Sequence, residues 1–248
     1  MIYWKDLYEN PRRLTSEWGH NRIFAPEAYE HVRTRQLVPI AHTEALTLAA
    51  HFPICWQARQ NRFELCALRS LLDDGRGHPV KPTYTGGALP LALRAFPIIV
   101  TAPSSGSDEI WIDDMLADRP TDIGAPLLMA DGRLSRGTVL RIQAATALRQ
   151  SIDQTQRLTE ALADGGFLEP WPLSFDLGQD GAKIQRDDLL VVRSAALSTP
   201  GMLRFLHAFG VEAAMFLTAH RISLFRTSIL LQAARAAVAK ETLSSEPA

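Results

Sequence analysis

Leu46-Thr47-Leu48-Ala49-Ala50-His51-Phe52-Pro53-Ile54 is one copy of a phrase that decides the fold of this chain, and Leu91-Ala92-Leu93-Arg94-Ala95-Phe96-Pro97-Ile98 is the other. Each copy has the apolar spacing of a short amphipathic helix, which its proline forces to end. A buried strand follows in each case, Ile54-Cys55-Trp56 and Ile98-Ile99-Val100. The phrase therefore predicts helices packed on a sheet. It contains no catalytic or cofactor signature.

The composition is that of a globular protein and excludes several partner classes. The 248 residues are 46% hydrophobic, which suffices for a well-buried core. Lys and Arg total 26 against 27 Asp and Glu, so a net charge of -1 gives no bulk attraction to nucleic acid or to an anionic membrane. Charged residues occupy the N-terminal positions that a secretory signal would fill with apolar ones, and no apolar stretch reaches the about 20 residues that span a bilayer. We expect a cytoplasmic protein with no membrane span and no nucleic-acid partner.

Periodicity and turn residues predict the remaining elements. A Gln60-Asn61 turn joins the first strand pair, Asp131-Gly132 marks a second turn, and Gly165-Gly166 closes a long helix. The predicted helices cover residues 39–51, 90–95, 137–163, 187–193, 200–208 and 211–240, and the predicted strands cover residues 53–57, 63–72, 98–102, 110–113, 173–177 and 183–185.

These elements predict an α+β fold: a small, mainly antiparallel sheet of about four strands packed with helices, followed by a helical C-terminal half. Residues 1–25 are predicted to form an extended arm anchored by Trp4 and Trp18. Residues 26–240 are predicted to form one domain, and residues 241–248 a flexible tail.

Two cysteines, Cys55 and Cys66, are the only ones in the chain. They are too few for a disulfide framework and lack the partners of a zinc site. The predicted turn places them directly opposite each other across the first hairpin. Two buried thiols in a reducing cytosol are the structural interpretation, and a redox role is the alternative.

Histidines beside carboxylates raise the question of a metal site. In an ideal helix His42 and Glu44 point about 200° apart, and His51 points about 180° from His42, so the three do not share a first shell. Glu27 and His31 have the i, i+4 spacing of a shared face, but two ligands need further donors. We therefore predict no metal site, and the residues identify no cofactor.

Arg94 follows buried neighbours at the end of a short helix, so its guanidinium is expected to be partly buried and to need a carboxylate. Glu44 and Asp113 are the candidate partners. A structural ion pair is one interpretation, and the alternative is a polar ligand pocket that Tyr84 and Trp111 also line.

The last helix carries more large apolar side chains than one narrow stripe requires. Most are expected in the core, but some are candidates for contact with another protein or with a second copy. The candidate partner-binding residues are Phe216, Arg221, Leu224 and Phe225.

Short motifs follow one another in a specific order over residues 20–232. They are Phe24-Ala25, the Val38-Pro39 to Glu44 helix start, Phe52-Pro53-Ile54, Tyr84, Arg94-Ala95-Phe96-Pro97, Ile112-Asp113, Gly124-Ala125-Pro126-Leu127-Leu128, Leu162 to Pro170, Asp188-Leu189 and Ala219-His220-Arg221-Ile222-Ser223-Leu224. In this order the chain resembles the SapC family of bacterial proteins. The resemblance implies a cytoplasmic accessory protein of a surface-protein export or peptide-tailoring system, and it supplies no catalytic residue.

Two functional hypotheses follow. The first is an accessory protein that binds a protein or peptide partner, with self-association left open. The second is an enzyme or enzyme subunit acting on a peptide or small polar substrate in a pocket around Arg94.

Overall fold

A computed structural model describes residues 7–15, 17–18, 21–59, 62–75, 89–101, 109–115, 117–120, 122–178 and 183–245. Its strands are β1 Pro11–Arg13, β2 Arg22–Ile23, β3 Leu37–Pro39, β4 Ile54–Arg59, β5 Arg62–Leu68, β6 Ile98–Thr101, β7 Glu109–Asp113, β8 Ala125–Pro126, β9 Leu168–Pro170, β10 Leu173–Asp176, β11 Lys183–Arg186 and β12 Leu189–Val192. Its α-helices are α1 Glu30–Arg33, α2 Ala45–Leu48, α3 Leu91–Ala95, α4 Arg136–Asp164, α5 Pro200–Ser223 and α6 Thr227–Ser245. Helix α5 is broken at Gly210, whose φ of 73° and ψ of -162° are not helical. The α+β class with antiparallel sheets and a helical C-terminal half is confirmed.

The chain forms two compact units. The first comprises Met1–Thr34 and Leu89–Ser151, and the second comprises Arg35–Ala88 and Ile152–Ala248. The long helix α4 contributes residues to both. The predicted domain bounds of 26–240 stay a prediction.

The repeated phrase builds the central hairpin of each unit. In the second unit, α2 is followed by buried Phe52 and by the hairpin β4–β5, and the carbonyl of Pro53 accepts a hydrogen bond of 2.8 Å from the N–H of Leu68. In the first unit, α3 is followed by buried Phe96 and by β6–β7, and the carbonyl of Pro97 accepts one of 2.9 Å from Asp113. Each proline thus follows a helix and pairs with the last residue of its hairpin, although the Phe96-Pro97 peptide bond is cis and α2 ends at Leu48, five residues before Pro53.

The first unit contains a three-stranded antiparallel sheet with strand order β1-β7-β6. Part of the predicted arm, β1, forms its edge by pairing with β7. Tyr8 stacks on Phe96 at 5.5 Å between ring centroids, and Tyr29 meets the same ring edge-on at 4.9 Å. Of the two predicted anchors, Trp18 packs against a small apolar cluster, and Trp4 lies outside the described residues.

The second unit contains a five-stranded antiparallel sheet with strand order β3-β5-β4-β12-β9. On one face Trp56 joins a cluster that includes Phe216 and Leu217 of α5. On the other face Cys55 joins a cluster that includes Leu230 and Ala234 of α6. The two C-terminal helices therefore contribute to the apolar layers on opposite faces of one sheet.

Several predicted elements differ from the structure. The two hairpins lie in separate sheets of three and five strands, because strands distant in sequence complete each sheet. The helix predicted for residues 187–193 is wrong: Leu189–Val192 is a strand between β4 and β9, as suits a buried run containing two valines. Pro39 ends strand β3 rather than beginning a helix. Of the helix predicted for residues 39–51, only Ala45–Leu48 is α-helical.

Other local predictions are confirmed. The long helix runs from Arg136 to Asp164 and ends at Gly166, whose φ of 64° belongs to the left-handed region that favours glycine. Leu128 and Leu134 pair across the Asp131-Gly132 turn, and β10 pairs with β11. Cys55 stands opposite Cys66, both buried and free. The predicted Gln60-Asn61 turn lies outside the described residues.

Candidate protein-docking surface

Helix α5 carries an exposed apolar stripe. Its large members are Val211, Met215, Ile222 and Phe225, with exposed fractions of 72%, 48%, 57% and 80%. Together with exposed Thr218 they are spaced by four and three residues in turn, which keeps them on one side of a helix. The single 3-10 turn Leu224–Arg226 keeps Phe225 in line, because residues three apart eclipse in that geometry. We call these five residues the stripe.

The opposite side of α5 packs into the core of the second unit. Phe216 is 3% exposed and meets the indole of Trp56 edge-on at 5.8 Å between ring centroids. The Trp56 indole also donates a hydrogen bond of 3.1 Å to Thr159 of α4. The structure therefore places Phe216, a predicted partner-binding residue, in the core.

His220 fixes the rotation of α5 about its own axis. Strands β4 and β12 are antiparallel, with Gln57 opposite Leu189 and Trp56 opposite Leu190. If this pairing continued for two more residues, Ile54 would lie opposite Val192. There the imidazole of His220 lies between the strands: Nδ1 is 2.8 Å from the carbonyl of Ile54, and Nε2 accepts a hydrogen bond of 3.1 Å from the N–H of Val192. Because Nε2 is the acceptor, the ring proton is on Nδ1, and the Nδ1–H group donates a hydrogen bond to the carbonyl of Ile54. Burial lowers the pKa of His220 to about 4, which keeps this ring neutral.

Two neighbours of His220 bond to the remaining backbone groups of the same pair. The hydroxyl of Ser223 accepts a hydrogen bond of 2.9 Å from the N–H of Ile54. The guanidinium of Arg221 donates to the carbonyl of Val192 at 3.1 Å and to the hydroxyl of Ser194 at 2.7 Å. All four backbone groups of Ile54 and Val192 are thus bonded to one turn of α5, and the stripe is held facing away from the sheet.

The four predicted partner-binding residues therefore divide. Phe225 belongs to the stripe, whereas Arg221 bonds to the backbone of β12 and Leu224 packs, half-buried, against the cluster that contains α6. Sequence reasoning missed Val211, Met215 and Ile222. Their alternating four-and-three spacing was the available signal, but residues 213, 216, 217 and 220 form an equally periodic stripe on the other side.

Charged residues flank the stripe near its two ends. The side chain of Glu212 is 66% exposed, accepts a hydrogen bond of 3.4 Å from Gln154 and approaches His42 Nε2 at 4.0 Å. Arg226 follows Phe225 directly. Across the parts of the chain that the structure describes, Arg226 forms no ion pair with a carboxylate, and neither does Arg204 of α5.

His42 lies buried behind this end of α5. Its ring Nδ1 is 2.8 Å from the hydroxyl of Thr155, which also accepts a hydrogen bond of 3.0 Å from the His42 N–H. Burial lowers the pKa of His42, and the carboxylate of Glu212 acts in the opposite direction. The arrangement joins α4 to the segment before α2.

The predicted ligand residues are distributed over both units. Arg94 is exposed in α3, so its expected burial is wrong: the helix turns its Ala92, Leu93 and Ala95 inward instead. Trp111 and Asp113 lie two residues apart on β7, and Glu44 belongs to the second unit, where it accepts a hydrogen bond of 2.8 Å from the N–H of Ala41.

Asp113 serves the backbone of its own unit. Its buried carboxylate accepts hydrogen bonds from the N–H groups of Glu9, Asn10 and Met115 at 2.7, 3.1 and 3.0 Å. It ties the arm to the end of β7. The fifth predicted ligand residue, Tyr84, lies outside the described residues.

The partly buried guanidinium beside the Phe96-Pro97 turn is that of Arg141. It donates to the carbonyls of Phe96 at 3.1 Å and Gly137 at 3.2 Å, and also to the carbonyl of Phe24. Burial lowers the pKa of Arg141 from its ordinary value. Carbonyl oxygens here take the place of the carboxylate that the sequence led us to expect.

Two further features of the described residues bear on the class of site. Among the described residues, no three His, Cys, Asp or Glu side chains are grouped to hold a metal ion. The helical stretch Pro200–Glu241 has the length and composition of a membrane-spanning helix, a test that core helices of soluble proteins also pass.

The family model described as SapC matches residues 15–226. No curated protein and no solved structure matches the chain.

Proposed function

This chain belongs to the SapC family, and from that premise we propose that it is an accessory protein that binds a protein or peptide partner through the stripe on α5. The observation that carries the proposal is four large apolar side chains exposed by 48% to 80% along one line of a helix whose other side is locked into a core. Contiguous apolar surface of this kind is typical of protein–protein contact sites.

The rigidity of the stripe supports the same function. A helix held at the backbone of Ile54 and Val192 presents its outer side chains in a defined geometry. Because the helix that carries the stripe is already ordered, docking of a partner helix or peptide costs little free energy for ordering its backbone. Phe225, 80% exposed, has the size and residue type of an interface hot spot.

The cellular setting is part of the proposal. The family resemblance supports a cytoplasmic accessory role in surface-protein export or peptide tailoring, in which the protein would hold or present another protein or peptide.

Native mass spectrometry of the protein purified from its own host tests the proposal. We expect a stoichiometric protein or peptide adduct on the wild type and its loss from an Ile222→Asp, Phe225→Asp double variant. Leu46→Asp is the matched control, because Leu46 is 60% exposed on the same unit but outside the stripe. An adduct that survives the double variant, or a wild type that carries only a small molecule, would contradict the proposal.

A further inference from the structure

The pattern of the stripe is nearly symmetric about its centre, because the outer offsets match and the inner ones differ by one position, about 1.5 Å along a helix. Val211, Met215, Thr218, Ile222 and Phe225 are displaced from residue 218 by -7, -3, 0, +4 and +7 positions. This is the alternating spacing of the two seam positions of a heptad repeat, which two helices bury against each other. Thr218 donates its hydroxyl to the carbonyl of Ala214 at 2.9 Å, so its polar group is already bonded within the helix.

The flanking charges have opposite signs and lie within two positions of mirror-related places, an offset of about 3 Å along the helix that long side chains can bridge. Glu212 lies six positions before Thr218, and Arg226 lies eight positions after it. If two copies of α5 run antiparallel with their Thr218 residues opposed, Val211 meets Phe225 of the other copy and Met215 meets Ile222. Glu212 then stands beside Arg226 of the other copy, and the relationship occurs twice.

We infer that a second copy of this chain occupies the stripe in the free protein, as an antiparallel pair of α5 helices related by a twofold axis near Thr218. The inference rests on the proposed function insofar as both require the stripe to be a docking surface. A partner protein or peptide would then replace the second copy.

The extent of the stripe sets the strength of the pair. Residues 211 to 225 span about 21 Å of helix. Four partly exposed side chains offer roughly 500 Å², below the about 800 Å² per partner of a standard interface. The dimer is therefore reversible, as an accessory protein that exchanges a second copy for a partner requires.

Charge reversal with the purified full chain tests the pairing. Sedimentation velocity over about 1 to 300 µM should show a concentration-dependent dimer of the wild type. Arg226→Glu opposes two carboxylates at each flank and Glu212→Arg opposes two guanidiniums, so each variant should dimerise at least about tenfold more weakly.

An equimolar mixture of the two variants restores both ion pairs and should dimerise as a heterodimer, as should the E212R/R226E double variant with itself. This recovery excludes misfolding as the cause of the single-variant defects. Arg235→Glu on α6 is the control, and it should leave the dimer unchanged because Arg235 belongs neither to the stripe nor to the charges that flank it.

Other outcomes overturn the inference. A wild type that stays monomeric at about 300 µM, or a dimer that neither charge reversal weakens, is incompatible with this pairing. If a monomeric wild type still loses its host partner on Ile222→Asp, the docking function stands and only the self-pairing fails. If instead the mixture dimerises and no host partner is found, the pairing stands and the proposed function fails. Flotation of a monomeric wild type with anionic phospholipid vesicles would assign the stripe to a membrane and overturn both.

Discussion

The imidazole of His220 stands in for a strand-to-strand hydrogen bond at Ile54. The ring donates to the Ile54 carbonyl at 2.8 Å and accepts from the N–H of Val192 at 3.1 Å, so it lies between two backbone groups that would otherwise bond directly. One side chain thereby satisfies two strands and fixes a helix on their sheet. The stripe owes its orientation to this insertion.

Replacing His220 should be among the most damaging changes in the second unit. His220→Ala leaves two buried backbone groups without partners and opens a cavity beside Trp56, at a cost of about 3 to 5 kcal/mol in the free energy of unfolding. His220→Gln keeps one polar contact and should cost less. Urea unfolding measures both, with His207→Ala as the control, because His207 is exposed in the part of α5 before the break at Gly210. Equal stability of the two His220 variants would show that the hydrogen bonds contribute nothing.

The same ring makes the fold sensitive to mild acid. The pKa of His220 is lowered to about 4 in the folded protein, against 6.5 for an ordinary histidine, so below pH 6.5 the unfolded chain binds the proton more readily. Stability is therefore complete above pH 6.5 and is lost between pH 6.5 and pH 4, by about 3 kcal/mol from this group. Burial lowers the pKa of His42 as well, and adds in the same direction.

Urea titrations at a series of pH values check this window. His220→Gln should flatten the profile between pH 6.5 and pH 4, whereas His207→Gln should leave it unchanged. A wild-type profile that is flat down to pH 4.5 would be inconsistent with a neutral, inserted imidazole.

The carboxylate of Asp113 should govern the attachment of the N-terminal arm. Asp113→Ala removes the acceptor of three backbone N–H groups at residues 9, 10 and 115, with an expected cost of about 2 to 4 kcal/mol. Hydrogen exchange of the Glu9 and Asn10 amides should accelerate before global unfolding. Asp131, which accepts a hydrogen bond of 2.7 Å from Arg133 in a surface turn of the same unit, is the control, and Asp131→Ala should change little. Unchanged exchange in the Asp113 variant would contradict this role.

Local structure was readable from the sequence where a few adjacent residues determine it. Phe52-Pro53 and Phe96-Pro97 separate a helix from a hairpin as predicted, because proline restricts the residue before it and the apolar run that follows suits a buried strand. The glycine pair after α4 likewise marks a helix end through a positive φ that other residues avoid.

Contacts between residues distant in sequence could not be predicted from the sequence. Whether two hairpins share one sheet depends on strands such as β12, which pairs with β4 more than 130 positions away. The docking surface shows the same limit: α5 has two apolar sides, and the contacts of His220 and Ser223 with Ile54 decide which one faces the core. The sequence predicted a partly buried guanidinium at Arg94, but the structure has it at Arg141. This could not be predicted because the carbonyls that bond to Arg141 come together only in the folded unit.

The buried cysteine pair should be chemically inert, which decides between the structural and the redox interpretation. The hydrogen bond from Leu68 N–H to the Pro53 carbonyl sets the alternation of the hairpin ladder and makes Cys55 and Cys66 a hydrogen-bonded pair. In such pairs the Cα atoms are about 5.5 Å apart, which is within the range that a disulfide can bridge, so the expected inertness rests on burial and not on separation. Burial also raises the pKa of Cys55 to about 12 and that of Cys66 well above its ordinary value, so thiolate is scarce at pH 8.

An aromatic disulfide reagent at pH 8 should therefore modify neither thiol of the native protein within minutes and both after unfolding in denaturant. The count is unambiguous because the chain has only these two cysteines. Rapid modification of one thiol, or a disulfide formed in the native protein by a mild oxidant, would favour the redox interpretation. Retention of two free thiols through that treatment would leave the pair with the packing role that its burial between β4, β5 and α6 gives it.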